Sequence, residues 1–561
     1  MKILSTISAV DLRIKPQDAA YALRNAGYLC FLDSSLSGNK YSRFSYIAWD
    51  PKIIIKSNGY KNEFTAASAG ISYYSYQHPL SFLKQNVKEY TCAFPGSKIK
   101  NVKIVLISGG KVRKISKGME EGLPDFKGGF IGYFSYDLKN YIEKLPCSAV
   151  DDLNIPLFYL LYYDRVLAYS HLEEMWYFIK NFTFRDKEAV GKAGKDKAEK
   201  GSGSAFDADY FKNDYIDSKI KDKDLIRRVN ESLKETARII EEAAGKSTGT
   251  GKDVGSGKGP DIRKDITKKY YSKNISAIKL HPNITKRSYL KKVSRTKEYI
   301  HNGDIYQANF SQRFEADLPV EPMDLYYILR EKNAAPFSAF LKFPDFIIGS
   351  SSPERFLFLK GETIETRPIK GTRPRGKDAA GDYKNMHELE GSIKDRAELN
   401  MIVDLERNDM GKICYYGTVK VSEHAVIEKF ARVFHSVSTV TGKVKKAVDI
   451  SDIIKAAFPG GSITGAPKIR AMEIIDELEP AARGVYTGSI GYMGIDSTID
   501  LNIVIRTFVI KGNKFYYNVG GGIVEDSVPE DEYEETLDKG IALEDTLKFF
   551  TKKNLKKLVQ A

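Results

Sequence analysis

The feature that most constrains this chain is a break in composition. From about residue 185 to 284, the strings GKAGKDKAEKGSGSAF and GKSTGTGKDVGSGKGP are rich in glycine, lysine and serine. Such a segment buries little apolar surface and reads as a flexible linker or insertion. It separates two β-rich blocks, residues 1–184 and 285–550. Within it, DLIRRVNESLKETARIIEEAAG places Leu225, Val229, Leu233, Ile239 and Ile240 at helical spacing, which predicts one amphipathic helix. The formal charge of the chain is +14, much of it in this segment. A basic stretch suits nucleic acid or another anion, but no nucleic-acid motif with interleaved aromatics is found here. Nor is there a phosphate loop: Gly245-Lys246-Ser247 lacks the upstream glycine, and Lys258 is followed by Gly259. No nucleic-acid partner is expected.

In the first block PKIIIKS, VKIVLIS and FIGYFSYDL read as strands, and LFYLLYYDRVLAYS as a strand pair buried on both faces. In the second, FSAFLKF, DFIIGSS, RFLFLKG, TVKVSEHAVI, NIVIRTFVIKG and KFYYNVGGGIV alternate with helical stretches. Paired strands joined by turns, with helices outside them, make an α+β class. With 42% hydrophobic residues over 561 positions, a sizeable core is available. No apolar run approaches the roughly 20 residues of a membrane helix. The opening MKILSTISAVDLRIKP meets Asp11 and Arg13 before any long apolar stretch, so no signal peptide, no membrane partner and a cytoplasmic location are expected. Cys30, Cys92, Cys147 and Cys414 lie far apart without zinc spacing and read as reduced thiols.

Several groups could carry chemistry. Asp395 and Glu398 are three residues apart in KDRAELNMIVDLERND, and Glu532 and Glu535 repeat the spacing in PEDEYEETLDKG. Each pair shares a helix face. Two such pairs could converge on a hard cation such as Mg²⁺, or each could be a solvated acidic face. Between them TRPIKGTRPRG, FPGGSITGAPK and NVGGGIVEDS bring backbone N–H groups within reach of an anion, or are simply tight turns. Glu354 precedes an apolar strand, and His435 lies in an alternating one, where a structural histidine is the plainer reading. Lys370, in PIKGT, is a surface lysine unless burial and nearby cations remove its proton and make it a nucleophile.

DIYQANFSQRF, APFSAFL, SSPERF, TRPIKGT, KDRAELNMIVDLERNDMGK, AFPGGSITGAPKIRAMEIIDELEP, GSIGYM, IVIRT and GGGIVEDS, spread over 285–545, resemble the chorismate-utilising enzymes. The likeness is greatest to component I of aminodeoxychorismate synthases. YSRFSYIAWDP and GGFIGYFSYDL extend it into the first block. It implies a two-lobed, anthranilate-synthase-like antiparallel β-sandwich flanked by helices, with the active site in the cleft. It implies chorismate as substrate and Mg²⁺ held by Glu398 and Glu535, with Asp395 and Glu532 beside them directly or through water. The enolpyruvyl carboxylate falls to Arg506 and Tyr492, and further substrate contacts to Gly371, Thr372, Thr464, Gly521 and Lys539. Glu354 takes the general acid's position, and His435 that of an active-site histidine.

Two positions separate the branches of this family. Isochorismate and salicylate synthases carry a water-activating lysine where this chain has Gln307, and anthranilate synthases carry alanine where it has Lys370. The resemblance therefore implies C4 amination of chorismate through a proposed Lys370 adduct at C2. The product is 4-amino-4-deoxychorismate, on the way to para-aminobenzoate and folate. Ammonia is expected from solution or a separate glutamine amidotransferase subunit, since no glutaminase or lyase segment is found in the sequence. The alternative is anthranilate synthase component I, with C2 amination and loss of pyruvate. A remoter one is a non-catalytic anion-binding scaffold, which would require a lost site position where each is filled. Tyr41, Ser42, Arg43 and Phe44 with Pro336, Phe337 and Ser338 match a tryptophan pocket found in some relatives.

Overall fold

In the computed structural model, the described residues are 2–36, 38–91, 101–115, 120–185, 215–217, 220–248, 261–273, 275, 277–430 and 433–560. Cys92 and the two Gly/Lys/Ser-rich strings lie almost wholly outside them; Cys30, Cys147 and Cys414 are free thiols. Among the described residues no helix is long and apolar enough to cross a membrane.

Strands of both blocks contribute to two large sheets, of 15 and 12 strands. In the larger, Phe337–Lys342 runs antiparallel to Leu29–Asp33, with Phe340 opposite Phe31. In the smaller, Ser489–Gly494 runs antiparallel to Gly129–Phe134. Residues 1–184 and 285–550 thus mark changes in sequence, while each sheet is composite. Among the described strands pairing is antiparallel except where Lys2–Val10 meets Asn101–Ser108 and Met175–Arg185 meets Tyr215–Asp217.

The sheets close on an aromatic core. Phe343 of the larger-sheet block packs against Tyr133 and Tyr159 of the smaller sheet, with ring centroids 5.6 and 4.5 Å apart. Such pairs add about 0.5–1.5 kcal/mol beyond the area they bury. The apolar run LFYLLYYDRVLAYS forms two strands, Phe158–Tyr163 and Arg165–Ser170, but they do not pair with each other: they lie in different sheets. Continuous hydrophobicity shows burial on both faces and cannot show which sheet a strand joins. The crossing residue Asp164 is buried and accepts from Lys180 Nζ at 2.6 Å.

In the 185–284 segment, helix Asp222–Thr248 buries Leu225, Val229 and Ile240. A second helix, Ile262–Tyr271, is anchored at the fully buried Asp324, which accepts from Tyr270 Oη and Lys269 Nζ at 2.7 Å and from Tyr21 Oη at 2.6 Å.

Four strands and two helices position the site, and a further strand, Ser489–Gly494, carries Tyr492. They are β1 (Gln307–Asp317), β2 (Ile369–Pro374), β3 (Val433–Lys443), β4 (Ser489–Gly494), β5 (Lys514–Ile523), α1 (Ile393–Ile413) and α2 (Pro529–Phe549). β1 and β5 pair near one end of the larger sheet, and β2 and β3 near one end of the smaller. α1 starts on Ser392, whose hydroxyl accepts from Asp395 N at 3.2 Å. α2 starts on Pro529, with Glu530, Asp531 and Glu532 in its first turn, where the helix dipole favours negative charge.

Candidate active site

Lys370 sits half-buried on β2, opposite Ser436 of β3, while Thr372 is opposite His435. The register slips between them. This is a β-bulge centred on Gly371, whose φ of +76° suits glycine. A Cβ there would lie 2.8 Å from Leu389 Cδ1 and 2.9 Å from Asp395 Cβ, so the PIKGT glycine is needed for both conformation and space. Burial pulls the Lys370 amine below its ordinary pKa; the charge of Lys539 acts with it and the carboxylates Glu398, Glu354 and Glu535 against it.

Glu354 is 5% exposed. Its Oε1 accepts from Ser462 Oγ at 2.6 Å and from Ile369 N at 3.4 Å. Burial pushes its carboxyl up to about 7, with Ser462 and Lys370 opposing, so it holds a proton in part at neutral pH. His435 is buried, with Nδ1 2.9 Å from Thr372 Oγ1 and its ring 4.9 Å from that of Phe430. Burial and the nearby Arg506 charge bring it down to about 4, so it is neutral at pH 7.

The acidic face of α2 lies over β5. A Cβ on Gly521 would lie 3.0 Å from Glu532 Oε2, 3.7 Å from Glu535 Oε1 and 3.8 Å from Lys539 Nζ. Lys539 Nζ contacts Glu535 Oε1 at 2.6 Å and Gly520 O at 3.0 Å. Burial raises Glu398 and Glu532 above the ordinary carboxylate range. Burial also acts on Glu535, but Lys539 and Lys370 outweigh it and hold that group low. Asp395 is ion-paired with Arg373 at 2.9 Å, and Glu532 accepts from Ser527 Oγ at 2.6 Å. Among the described residues no three His, Cys, Asp or Glu side chains cluster tightly enough to hold a metal unaided. Mg²⁺ asks less: one or two carboxylates, several waters and an anionic substrate. Glu398 has the charge of Glu535 in its field, and two such carboxylates are the kind of donor Mg²⁺ takes.

Arg506 is held at φ +54°, an uncommon conformation for a residue with a side chain, costing about 1–3 kcal/mol. Its guanidinium donates to Lys539 O. The aromatic hydroxyl in its field is that of Tyr486, not the sequence-expected Tyr492. Tyr492, on β4, packs instead on Phe126 and Tyr46 with centroids 4.7 and 5.8 Å away. GSIGYM and GVYTG are both short glycine-flanked tyrosine strings, so sequence spacing alone offers two candidates. Thr464 is fully buried and its hydroxyl donates to Gly460 O at 3.0 Å.

Gln307 lies beside Lys370: a Cβ on Gly522 would be 2.6 Å from Gln307 Nε2 and 3.3 Å from Lys370 Nζ. Its carboxamide is fully buried with neither polar atom hydrogen-bonded, so the cleft has an unmet donor and acceptor at this point. Ser462 and Tyr486 were not anticipated from the sequence; Ser462 lies in a string read for its glycines and for Thr464.

A separate cavity of about 260 Å³ is lined by Tyr41, Arg43, Phe44, Pro336, Phe337 and Ser338, together with Tyr492. Ser42 is buried and does not line it.

Known proteins resemble this chain over most of its length. Residues 100–545 match the model of the chorismate binding enzyme family. Aminodeoxychorismate synthase component 1 of Bacillus subtilis (strain 168) is 37% identical over 424 residues, 76% of this chain and 78% of that protein. Its counterpart in Escherichia coli (strain K12) is 49% identical over 46% of this chain and 57% of that protein. Anthranilate synthase component 1 of Acetivibrio thermocellus is 32% identical over 92% of this chain and 89% of that protein. Among solved structures, anthranilate synthase component I from Streptococcus pneumoniae TIGR4 superposes with a TM-score of 0.63 at 27% identity, covering 90% of this chain and 92% of that one. The architecture is thus the anthranilate-synthase-like α+β sandwich. On the family match and the site together, the chain belongs to the chorismate binding enzymes.

Proposed function

We propose that this protein aminates chorismate at C4. The observation that carries the reading is the pairing of Lys370, an amine favoured in its neutral form by burial, with Glu354, a buried acid that retains a proton near neutral pH. The Lys370 nitrogen attacks C2, the ring double bonds shift, and the C4–O bond breaks as Glu354 protonates the departing oxygen, giving water. Ammonia then adds at C4, the double bonds shift back and the C2–N bond to Lys370 breaks. Net, chorismate and ammonia give 4-amino-4-deoxychorismate and water. Arg506 suits the enolpyruvyl carboxylate through its planar fork, with Tyr486 beside it in place of Tyr492. Glu398 and Glu535 would hold Mg²⁺, which when bound neutralises carboxylate charge on the substrate. Neutral His435 and Thr372 keep the bulge in register. The ammonia source in this reading is a separate glutamine amidotransferase.

The test is incubation with chorismate, Mg²⁺ and an ammonium salt, with and without a separate aminodeoxychorismate lyase. Para-aminobenzoate that forms only with the lyase supports C4 amination. A second reading, C2 amination to anthranilate with loss of pyruvate, is favoured by the long alignment with anthranilate synthase component 1. Anthranilate formed without the lyase would establish it. The aromatic cavity is assigned to tryptophan in the same reading, and calorimetric titration with tryptophan against a Tyr41→Ala control tests it.

A further inference from the structure

Glu406 lies on α1, two turns beyond Glu398, and points away from the acidic cluster into the protein, with 2% of its surface exposed. Its Oε1 accepts from Gly461 N at 2.9 Å, and its Oε2 is 3.4 Å from Thr366 Oγ1. Both partners adjoin the reacting groups. Gly461 precedes Ser462, whose hydroxyl fixes Glu354 at 2.6 Å. Thr366 is four residues before Lys370 on the same stretch of chain. The approach needs a glycine: a Cβ at position 461 would lie 3.0 Å from Glu406 Oε1 and 2.7 Å from Leu405 Cδ2.

We propose that Glu406 is a positioning residue for the reaction, holding the Gly461–Ser462 turn so that Ser462 fixes the general acid Glu354. This rests on Glu354 acting as the acid, and not on which ring carbon is aminated. A carboxylate is a stronger acceptor for a backbone N–H than a neutral group. It also adds charge near Glu354. The groups facing Glu406 are Lys468 and Asp409, besides Gly461 N and Thr366; those facing Glu354 are Lys370, Ser462, Ile369 N and Glu406. Burial brings Glu406, like Glu354, up to about 7. Ionised Glu406 therefore opposes ionisation of Glu354 and helps keep the acid protonated.

The test is chorismate consumption, whatever its product, as a function of pH for the full chain with Mg²⁺ and ammonium. Glu406→Ala should lower kcat at least tenfold with little change in KM. Glu406→Gln keeps an acceptor for Gly461 N and should recover most of kcat. In that variant the alkaline limb of the profile should move to lower pH, because Glu354 loses its proton more readily without the neighbouring charge. A structural role alone would lower the folded fraction and leave the limb in place, so thermal melts accompany each variant. If the alanine variant does not fold, the limb of the glutamine variant carries the test. An unmoved limb in Glu406→Gln, or wild-type kcat in Glu406→Ala, would overturn the proposal. Wild-type enzyme that consumes chorismate but makes anthranilate would overturn the C4 reading and leave this inference standing.

Discussion

The Lys370 cleft and the aromatic cavity both hold buried charge, yet they treat it in opposite ways. Beside the cavity, two buried cations are locked by direct pairs. Arg355 meets Asp500 at 2.9 Å and Glu365 at 3.1 Å, and Arg367 meets Glu423 and Glu428 at 2.6 Å. Tyr41 stacks on both guanidiniums, 4.9 and 4.4 Å from its centroid. In the cleft, Lys370, Glu354, Glu398 and His435 are shifted from their ordinary pKa values by burial and by fields across space. Saturated charges build a rigid wall; unsaturated ones keep protons and electron pairs available for a substrate. The comparison also explains Tyr492: it belongs to the saturated region, with Arg355 and Asp500 in its field.

That contrast can be broken at named residues. Lys370→Ala should have the largest effect, lowering C4 amination by about 10⁴-fold or more while the melting temperature stays near wild type. Unchanged amination in that variant would remove the covalent route. Glu354→Gln should cost about 10²–10⁴-fold in kcat, and the wild-type rate should itself fall as pH rises through about 7, where Glu354 loses its proton. Arg355→Ala should act on stability instead. Leaving the half-buried Asp500 without its cation costs at most about 3–5 kcal/mol, read by urea unfolding, with kcat of the folded fraction largely kept.

The smallest effect concerns His435. Its pKa is about 4 when folded against an ordinary 6.5, so the unfolded chain binds the proton first as pH falls. Its contribution is present above 6.5 and is lost as pH drops toward 4, up to about 3 kcal/mol. His435→Asn should flatten the acid limb of the stability profile over that interval. A parallel displacement of the whole curve would contradict the assignment.

Much of the cleft was legible because its chemistry is written in local spacing. The three-residue acid pairs, the glycine of PIKGT and the acid of SSPERF each report a backbone or helix-face requirement. What was not legible depends on contacts distant in sequence. Ser462 reaches Glu354 across 108 positions. Tyr486 and Tyr492 are six apart, and only the strand they lead into decides which faces Arg506. The run around Asp164 showed burial on both sides, but its division between two sheets depends on partners at Ile53–Asn58 and Phe44–Trp49. Composition divided the chain at 185–284, whereas strand pairing at Leu29–Asp33 and Gly129–Phe134 joins the same blocks.

The most direct test of the central claim is to supply ¹⁵N-ammonium with chorismate and Mg²⁺ and locate the label in the product by NMR. The account predicts ¹⁵N bonded to C4, an intact enolpyruvyl side chain and no free pyruvate. Label at C2 together with released pyruvate would contradict it.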